Sequence, residues 1–468
     1  MPHRLSLREM ASLVRSRQLS PVELVEAHLC QIEKHNGTIN AFVRLFSDEA
    51  RNAAKRAEQA VVDGGPTGPL HGVPVTVKDS FDIEGVPTLC GSLLRCKHIA
   101  SRDSTAVRRL RAAGAIILGK TNTPEFLYNW ETDNRIIGRT NNPWNLERTP
   151  GGSSGGESAA IASFCSAGGI GSDGGGSIRI PAHFSGITGL KPTPGRVSAA
   201  GHFPEIAHPG GLLGVAGPMA RNVADLRLLF EVLSGHDPED PFSAPVPLRT
   251  TGLEGVRVGL MENWNNVPVQ PEMREAVLRA GKLLEECGIP VEPFRPHGVE
   301  RATEVWSFFF IDVPAPFTRE MIAGRESECH STGVELLRRT EGRPEPTGRE
   351  VVTQLAIRDK MRASLLRQME KFPVLLLPAC GVAAWRHGER RWETPQGEIE
   401  LLEAMAPVTP FNLFGMPGLV VPITFTSDTL PIGVQLVGAP WTEELLLEVG
   451  ARLEAARGPF AAPPEYLS

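Results

Sequence analysis

Three residues carry the chemistry this sequence could do: Lys78, Ser153 and Ser177. A serine hydroxyl is a weak nucleophile at neutral pH and needs a base beside it. Histidine is the usual base, but serine–lysine arrangements exist. Both serines lie in "PGGSSGGESAAIASFCSAGGIGSDGGGSIRIP", residues 150–181, in glycine-rich clusters 24 residues apart from Ser153 to Ser177. In "DGGGS", Gly174, Gly175 and Gly176 directly precede Ser177. Without side chains, their N–H groups can turn together toward one point beside the hydroxyl. That is a nest for the oxyanion of a tetrahedral intermediate. Lys78 ends the apolar run "VPVTVK", where partial burial favours the neutral amine. Lowering it from about 10.4 to about 7–8 takes roughly 3 units, or about 4 kcal/mol. The same pattern also describes an ordinary surface lysine at a strand end.

Two shorter motifs in the stretch compete with this reading. Gly169, Gly171 and Gly174 fit GxGxxG. A dinucleotide site also needs a helix opening at the motif and an acidic residue about 20 positions on. Pro181 and Pro192 interrupt any long helix, "PTPGRV" near residue 194 has no acid, and GxxxxGK[ST] is absent. The run Gly151-Gly152-Ser153-Ser154-Gly155 fits GxSxG and would make Ser153 the nucleophile of an elbow. An elbow needs a buried strand leading in, whereas "TNNPWNLERTP" is polar and broken by proline. Its histidine would come from His183, His202, His208, His236, His297, His330 or His387, none in a recognisable context.

These residues need a scaffold. The first 60 residues read as helical, with capping boxes at Ser6/Glu9 and Ser20/Glu23, and the second helix is expected to stop at Asn36-Gly37. From about residue 70 strands and helices alternate. "GVPVTVKD" reads as a strand and "STAVRRLRAAG" as a helix ahead of the strand "AIILG". "GVRVGL", "IPVEPF", "PVLLLPAC" and "PIGVQLVG" read as further strands. Helices are expected over "PEMREAVLRAGKLLEECG" and "EELLLEVGARLEAAR". The pattern predicts an α/β fold: a mixed, mostly parallel central sheet with helices on both faces. Residues 295–400 are less regular and read as an excursion over the core, where "VWSFFF" could line an apolar pocket or pack as a buried face.

Composition excludes several classes. The chain has 468 residues, 41% hydrophobic and 22% charged, as in ordinary globular proteins. A net charge of −6 without long charge runs argues against nucleic acid as the main partner. Seven scattered cysteines fit free thiols in a reducing compartment, and no CxxC or HExxH spacing announces a metal. No secretory leader and no membrane-spanning run is visible, so a cytoplasmic protein is expected.

The long pattern GGSSGG followed by D-x-GGS-I-R-x-P resembles the amidase signature family. "GVPVTVKDSFD" resembles that family's lysine strand, 75 residues before Ser153. "GRTNNPWN", "GLKPTPGRVS", "GPMARNVADL" and "PFNLFGMPGLVVPI" also look like family blocks, so the likeness covers nearly the whole chain and is weakest over 250–395. The resemblance implies one amidase domain over 1–468. Its parts would be N-terminal helices (1–60), a catalytic core (61–245), a variable peripheral region (246–400) and a C-terminal part of the core (401–468). It implies a Ser-cisSer-Lys triad: Ser177 as nucleophile, Ser153 as relay after a cis bond from Gly152, and Lys78 as base. The N–H groups of Gly174, Gly175, Gly176 and Ser177 would receive the oxyanion. Ser154, Ser172, Asp173 and Arg179 would support the site, and Tyr128, Asn129 and Trp130 would be substrate contacts. The implied substrate is a small-molecule amide, cleaved without metal or organic cofactor, by a homodimer. The implied activity is amide and ester hydrolysis through an acyl-enzyme. The alternative is the glutamine amidase subunit of a tRNA-dependent amidotransferase. Gly174 and Ile180 stand where that subunit usually has threonine and glutamine, which favours the free hydrolase.

Overall fold

The alternating runs fold into one eleven-stranded sheet. It is seen in a computed structural model that describes residues 1–65, 67–208 and 210–466. Its strands are β1 (Phe42–Leu45), β2 (Pro74–Lys78), β3 (Ile116–Thr121), β4 (Gly168–Asp173), β5 (Thr188–Lys191) and β6 (Val215–Ala220), then β7 (Val258–Leu260), β8 (Val291–Pro293) and β9 (Val374–Pro378). A separate hairpin pairs β10 (Arg391–Thr394) with β11 (Gly397–Glu400), and β12 (Gly418–Phe425) and β13 (Pro431–Gly438) complete the main sheet. The spatial order is β1-β3-β2-β4-β6-β5-β12-β13-β9-β7-β8.

The sheet is mixed, as expected, but less parallel than expected. Among the described residues four pairings are parallel and six antiparallel. The parallel pairs flank an antiparallel centre, where β12 and β13 form a hairpin and β5 and β6 pair in opposite directions. A second correction concerns 246–400. That stretch is not only peripheral, because β7, β8 and β9 form one end of the main sheet.

Most central strands are buried on both faces, which explains their near-continuous apolar runs. Successive residues of β9 alternate between two cores: Val374 and Leu376 join one, Leu375 and Leu377 the other. The helices Val223–Leu233, Pro271–Glu286 and Glu443–Arg457 pack into the first core. The second gathers Trp306, Phe309 and Phe411. Both N-terminal capping boxes form, at Ser6/Glu9 and Ser20/Glu23. The second helix runs past Asn36-Gly37 to Ile39, where Asn40 adopts the left-handed conformation that closes it.

Candidate active site

Period-two alternation decides where Lys78 points. Val75 and Val77 enter the first core, so Thr76 and Lys78 face the other side of β2. That face meets the helix Gly155–Ala162, which Ser153 and Ser154 immediately precede. The Lys78 side chain is fully buried, and its Nζ lies 2.7 Å from Ser153 Oγ and 3.0 Å from Ser172 Oγ. Burial pushes its pKa from 10.5 down to about 7, against the upward pull of Cys90, Asp173 and Glu157. An amine in that range is available as a base at neutral pH. The surface-lysine alternative is therefore excluded.

Ser153 follows a cis peptide bond from Gly152. Ser177 shares a cavity with Ser153 and Ser172 and is 7% exposed. Among the described residues no hydrogen bond joins the hydroxyls of Ser153 and Ser177. Such contacts often tighten only when substrate binds. Ser154 stitches the two clusters together: its N–H donates to the Ser177 carbonyl at 3.1 Å, and its hydroxyl to the Ser172 carbonyl at 3.3 Å.

Asp173 organises the loop around Ser177. Its carboxylate accepts from the N–H groups of Gly176 (2.7 Å) and Ile178 (3.1 Å) and from Arg179 Nε and Nη2 (both 3.0 Å). Burial alone would raise this carboxyl, but Arg179 overrides it and holds it well below the ordinary carboxylate range. Arg179 in turn donates to the Val408 carbonyl at 3.0 Å, to Gln435 Oε1 at 2.6 Å and to Asn412 Oδ1. The expected supporting pair is thus a buried ion pair tied to the helix Thr409–Leu413 and to β13.

One expected oxyanion donor is corrected. The Gly176 N–H is held by Asp173, because a φ of +107° at Gly176 turns the loop back on that carboxylate. The N–H groups of Gly174, Gly175 and Ser177 have no acceptor among the described residues. Two tryptophans grip the carbonyls of the same loop. Trp306 Nε1 donates to Gly174 O and Trp130 Nε1 to Gly175 O, both at 2.9 Å.

The substrate contacts also change. Tyr128 lines the cavity, with its ring edge-on to Phe310 at 5.6 Å. Asn129 and Trp130 do not line it. The Asn129 amide donates to the Thr332 carbonyl and to Glu335, and Trp130 is 2% exposed behind the glycine loop. Instead the cavity receives Phe309, Phe310 and Pro314 from the 295–400 region. The "VWSFFF" run enters as the helix Ala302–Ser307 and continues as a π-turn over Phe308–Asp312, a local form often found at functional sites. His202 lines the cavity as well. Its only sequence signal was being one of many isolated histidines.

Glu157 is a further buried acid that the sequence reading missed. Its carboxylate accepts from Thr76 at 2.5 Å and Thr121 at 2.7 Å, and burial raises its pKa to about 7 against those bonds and Lys78. Among the described residues no group of His, Cys, Asp and Glu could hold a metal ion. No described helix is long and apolar enough to cross a membrane.

Comparison with known proteins gives a consistent picture. Residues 23–447 match the family model described as Amidase. The chain is 34% identical to an indoleacetamide hydrolase of Bradyrhizobium diazoefficiens, across 97% of this chain and 86% of that protein. It is also 34% identical to a glutamyl-tRNA(Gln) amidotransferase subunit of Acidothermus cellulolyticus, across 96% of this chain and 93% of that one. Among solved structures, a bacterial aryl acylamidase of the amidase signature enzymes superposes with a TM-score of 0.87 at 28% identity, over 99% and 98% of the two chains.

Proposed function

The chain belongs to the amidase signature family and is an amide-hydrolysing enzyme, and from that premise we propose that it works through an acyl-enzyme on Ser177. The observation that carries this reading is the buried Lys78, held 2.7 Å from Ser153 with its pKa near 7. In the proposed cycle Ser177 attacks the amide carbonyl and gives its proton to Ser153, which passes its own to neutral Lys78. The tetrahedral oxyanion is received by the N–H groups of Gly174, Gly175 and Ser177. Collapse breaks the C–N bond, and the proton returns from Lys78 through Ser153 to the leaving amine. Water then attacks the ester on Ser177 by the same relay in reverse, releasing the acid. A single catalytic domain acting as a homodimer on amides, and on esters of similar shape, belongs to the same reading.

Fluorophosphonate labelling followed by peptide mapping tests it. Label at Ser177, absent in Ser177→Ala, supports the assignment; label on another serine overturns it.

The amidotransferase relatives motivate a second reading, the glutamine amidase subunit of a larger complex. What favours the free hydrolase is the cavity wall. Phe126, Leu127, Tyr128, Phe309 and Phe310 dominate it, and no lysine or arginine among its lining residues could receive the α-carboxylate of glutamine. Glutaminase turnover exceeding that of apolar amides would reverse this choice.

A further inference from the structure

The segment from Asn129 to Thr132 lines no part of the cavity, yet it touches both glycine-rich loops of the site. On one side Trp130 Nε1 donates to Gly175 O at 2.9 Å. The peptide between Gly175 and Gly176 is thereby held at both ends, because the Gly176 N–H donates to Asp173 Oδ1 at 2.7 Å. On the other side Thr132 Oγ1 donates to Gly151 O at 2.9 Å. The backbone of the segment also packs flush on Gly152. A Cβ added there would lie 2.8 Å from Asn129 O and 3.0 Å from the Glu131 nitrogen, an approach that only glycine permits. Ser153 is the next residue. A displacement of this one segment therefore moves the Ser153 loop and the Ser177 loop together.

What holds the segment from behind is one guanidinium. Arg390, immediately ahead of β10, spans two carboxylates. Its Nη2 lies 2.8 Å from Glu131 Oε2. Its Nε and Nη2 donate to the two oxygens of Glu335 at 2.8 and 2.9 Å. Both acids are fastened to the segment. Glu335 accepts from Asn129 Nδ2 at 3.0 Å, and Asn129 Oδ1 accepts from the Glu131 N–H at 3.0 Å. The contacts close a ring from Arg390 through Glu335, Asn129 and Glu131, and Trp130 sits inside it. Burial alone would raise the Glu335 carboxyl, but Arg390 holds it below the ordinary carboxylate range. A planar fork shared between two acids fixes distance and orientation, which a single ammonium does not. We propose that Arg390 is a positioning residue for amide hydrolysis: it sets the place of residues 129–132 and, through them, of Ser153 and the loop around Ser177. This rests on the reading of the site as an amidase centred on Ser177.

The test uses an alkyl fluorophosphonate. Its reaction with Ser177 needs both the activated hydroxyl and the oxyanion donors, so it reports site geometry whichever amide is the substrate. The limiting inactivation rate kinact and the half-saturating concentration KI are measured separately. In Arg390→Ala kinact should fall by about tenfold or more, the order expected when preorganised groups are displaced. KI should change far less, because binding to the cavity wall is left alone. Millimolar guanidinium, but not urea at the same concentration, should restore part of kinact. Combined with Trp130→Phe, Arg390→Ala should cost much less than it does alone, because both act through one segment. Arg391→Ala, at an exposed neighbour paired with Glu398 and Glu400, should leave kinact unchanged. A loss that merely follows the folded fraction seen by circular dichroism, with no rescue by guanidinium, overturns the assignment. Full additivity with Trp130→Phe overturns it as well. If Arg390→Ala does not fold, Arg390→Lys decides: a kinact equal to that of the unaltered enzyme overturns the proposal. Label at Ser177 with normal kinact in the Arg390 variants removes Arg390 and leaves the amidase reading standing. Failure of Ser177 to label in the unaltered enzyme overturns the amidase reading itself.

Discussion

The indole N–H of Trp306 donates to the carbonyl oxygen of Gly174 at 2.9 Å. In a trans peptide the N–H points opposite to the C=O, so holding the Gly174 carbonyl also aims the N–H of Gly175. Trp130 does the same one residue on, through Gly175 O. Trp306 also stacks on Phe310, a cavity residue, with centroids 4.7 Å apart and planes at 17°. In the proposed mechanism, the wall that would meet substrate and the loop that would receive the oxyanion are therefore one packed unit.

Trp306→Phe keeps an aromatic ring beside Phe310 but removes the donor. We expect kcat to fall by about tenfold or more, since preorganised donors act mainly on the transition state, with a smaller change in KM. Steady-state kinetics decides: an unchanged kcat removes Trp306 from this role.

Gly175→Ala tests the same contact from the other side. A Cβ at this position would collide with the Trp306 indole. The loop or the indole must shift, and activity should drop by about 100-fold, the order seen when an oxyanion donor is lost. Circular dichroism and thermal melting would show whether the fold survives. Near-normal turnover would mean that the loop tolerates the displacement.

The pH profile should report Lys78. A base must be neutral, so kcat/KM should rise with pH through about 7 and level off above it. Stability carries the same sign. Between about 7 and the unfolded value of 10.5 the unfolded chain binds the extra proton, so the contribution of Lys78 to stability is full above 10.5 and lost as pH falls through 7. Comparing urea unfolding of the enzyme and Lys78→Met from pH 6 to 10 isolates this difference. A kinetic profile that stays flat across pH 7 would disqualify Lys78 as the base.

Asp173→Asn should be among the most damaging single changes. It leaves Arg179 fully buried without its carboxylate, a loss of about 3–5 kcal/mol for a broken buried pair. It also weakens the acceptor that holds the Gly176 N–H. Denaturant midpoints measure the first effect and turnover the second; a midpoint within error of the unaltered enzyme contradicts this account.

Sequence reasoning reached what local pattern dictates. The alternation of "VPVTVK" puts Lys78 on the face opposite Val75 and Val77, and serine and glutamate three residues apart mark both N-terminal caps. What it missed was fixed by backbone geometry and by contacts that neither composition nor periodicity encodes. Gly176 looks like its two glycine neighbours until Asp173 takes its N–H. Trp130 and Asn129 sit beside Tyr128 in the chain, yet only Tyr128 turns into the cavity, because Gly175 on one side and Thr332 and Glu335 on the other claim its neighbours. His202 reaches the cavity lining only through the fold, with its Nδ1 on the Pro204 carbonyl. The share of parallel pairing was misjudged because strand direction at β5, β6, β12 and β13 depends on how distant segments dock.

The anchoring of Arg179 has a consequence for the enzyme's birth. Its guanidinium is gripped by Val408, Asn412 and Gln435, all more than 225 residues downstream. β5, close after the nucleophile, is walled on one side by β12. A ribosome making this protein therefore carries Lys78, Ser153 and Ser177 through more than 225 further residues without the braces that shape the loop around Ser177. If the proposed mechanism holds, catalytic competence arrives late, when the hairpin of β12 and β13 has emerged. Incomplete chains released early would be silent toward amides, and any attempt to split the enzyme into complementing halves ahead of residue 408 must let the C-terminal piece find Arg179 before the first turnover.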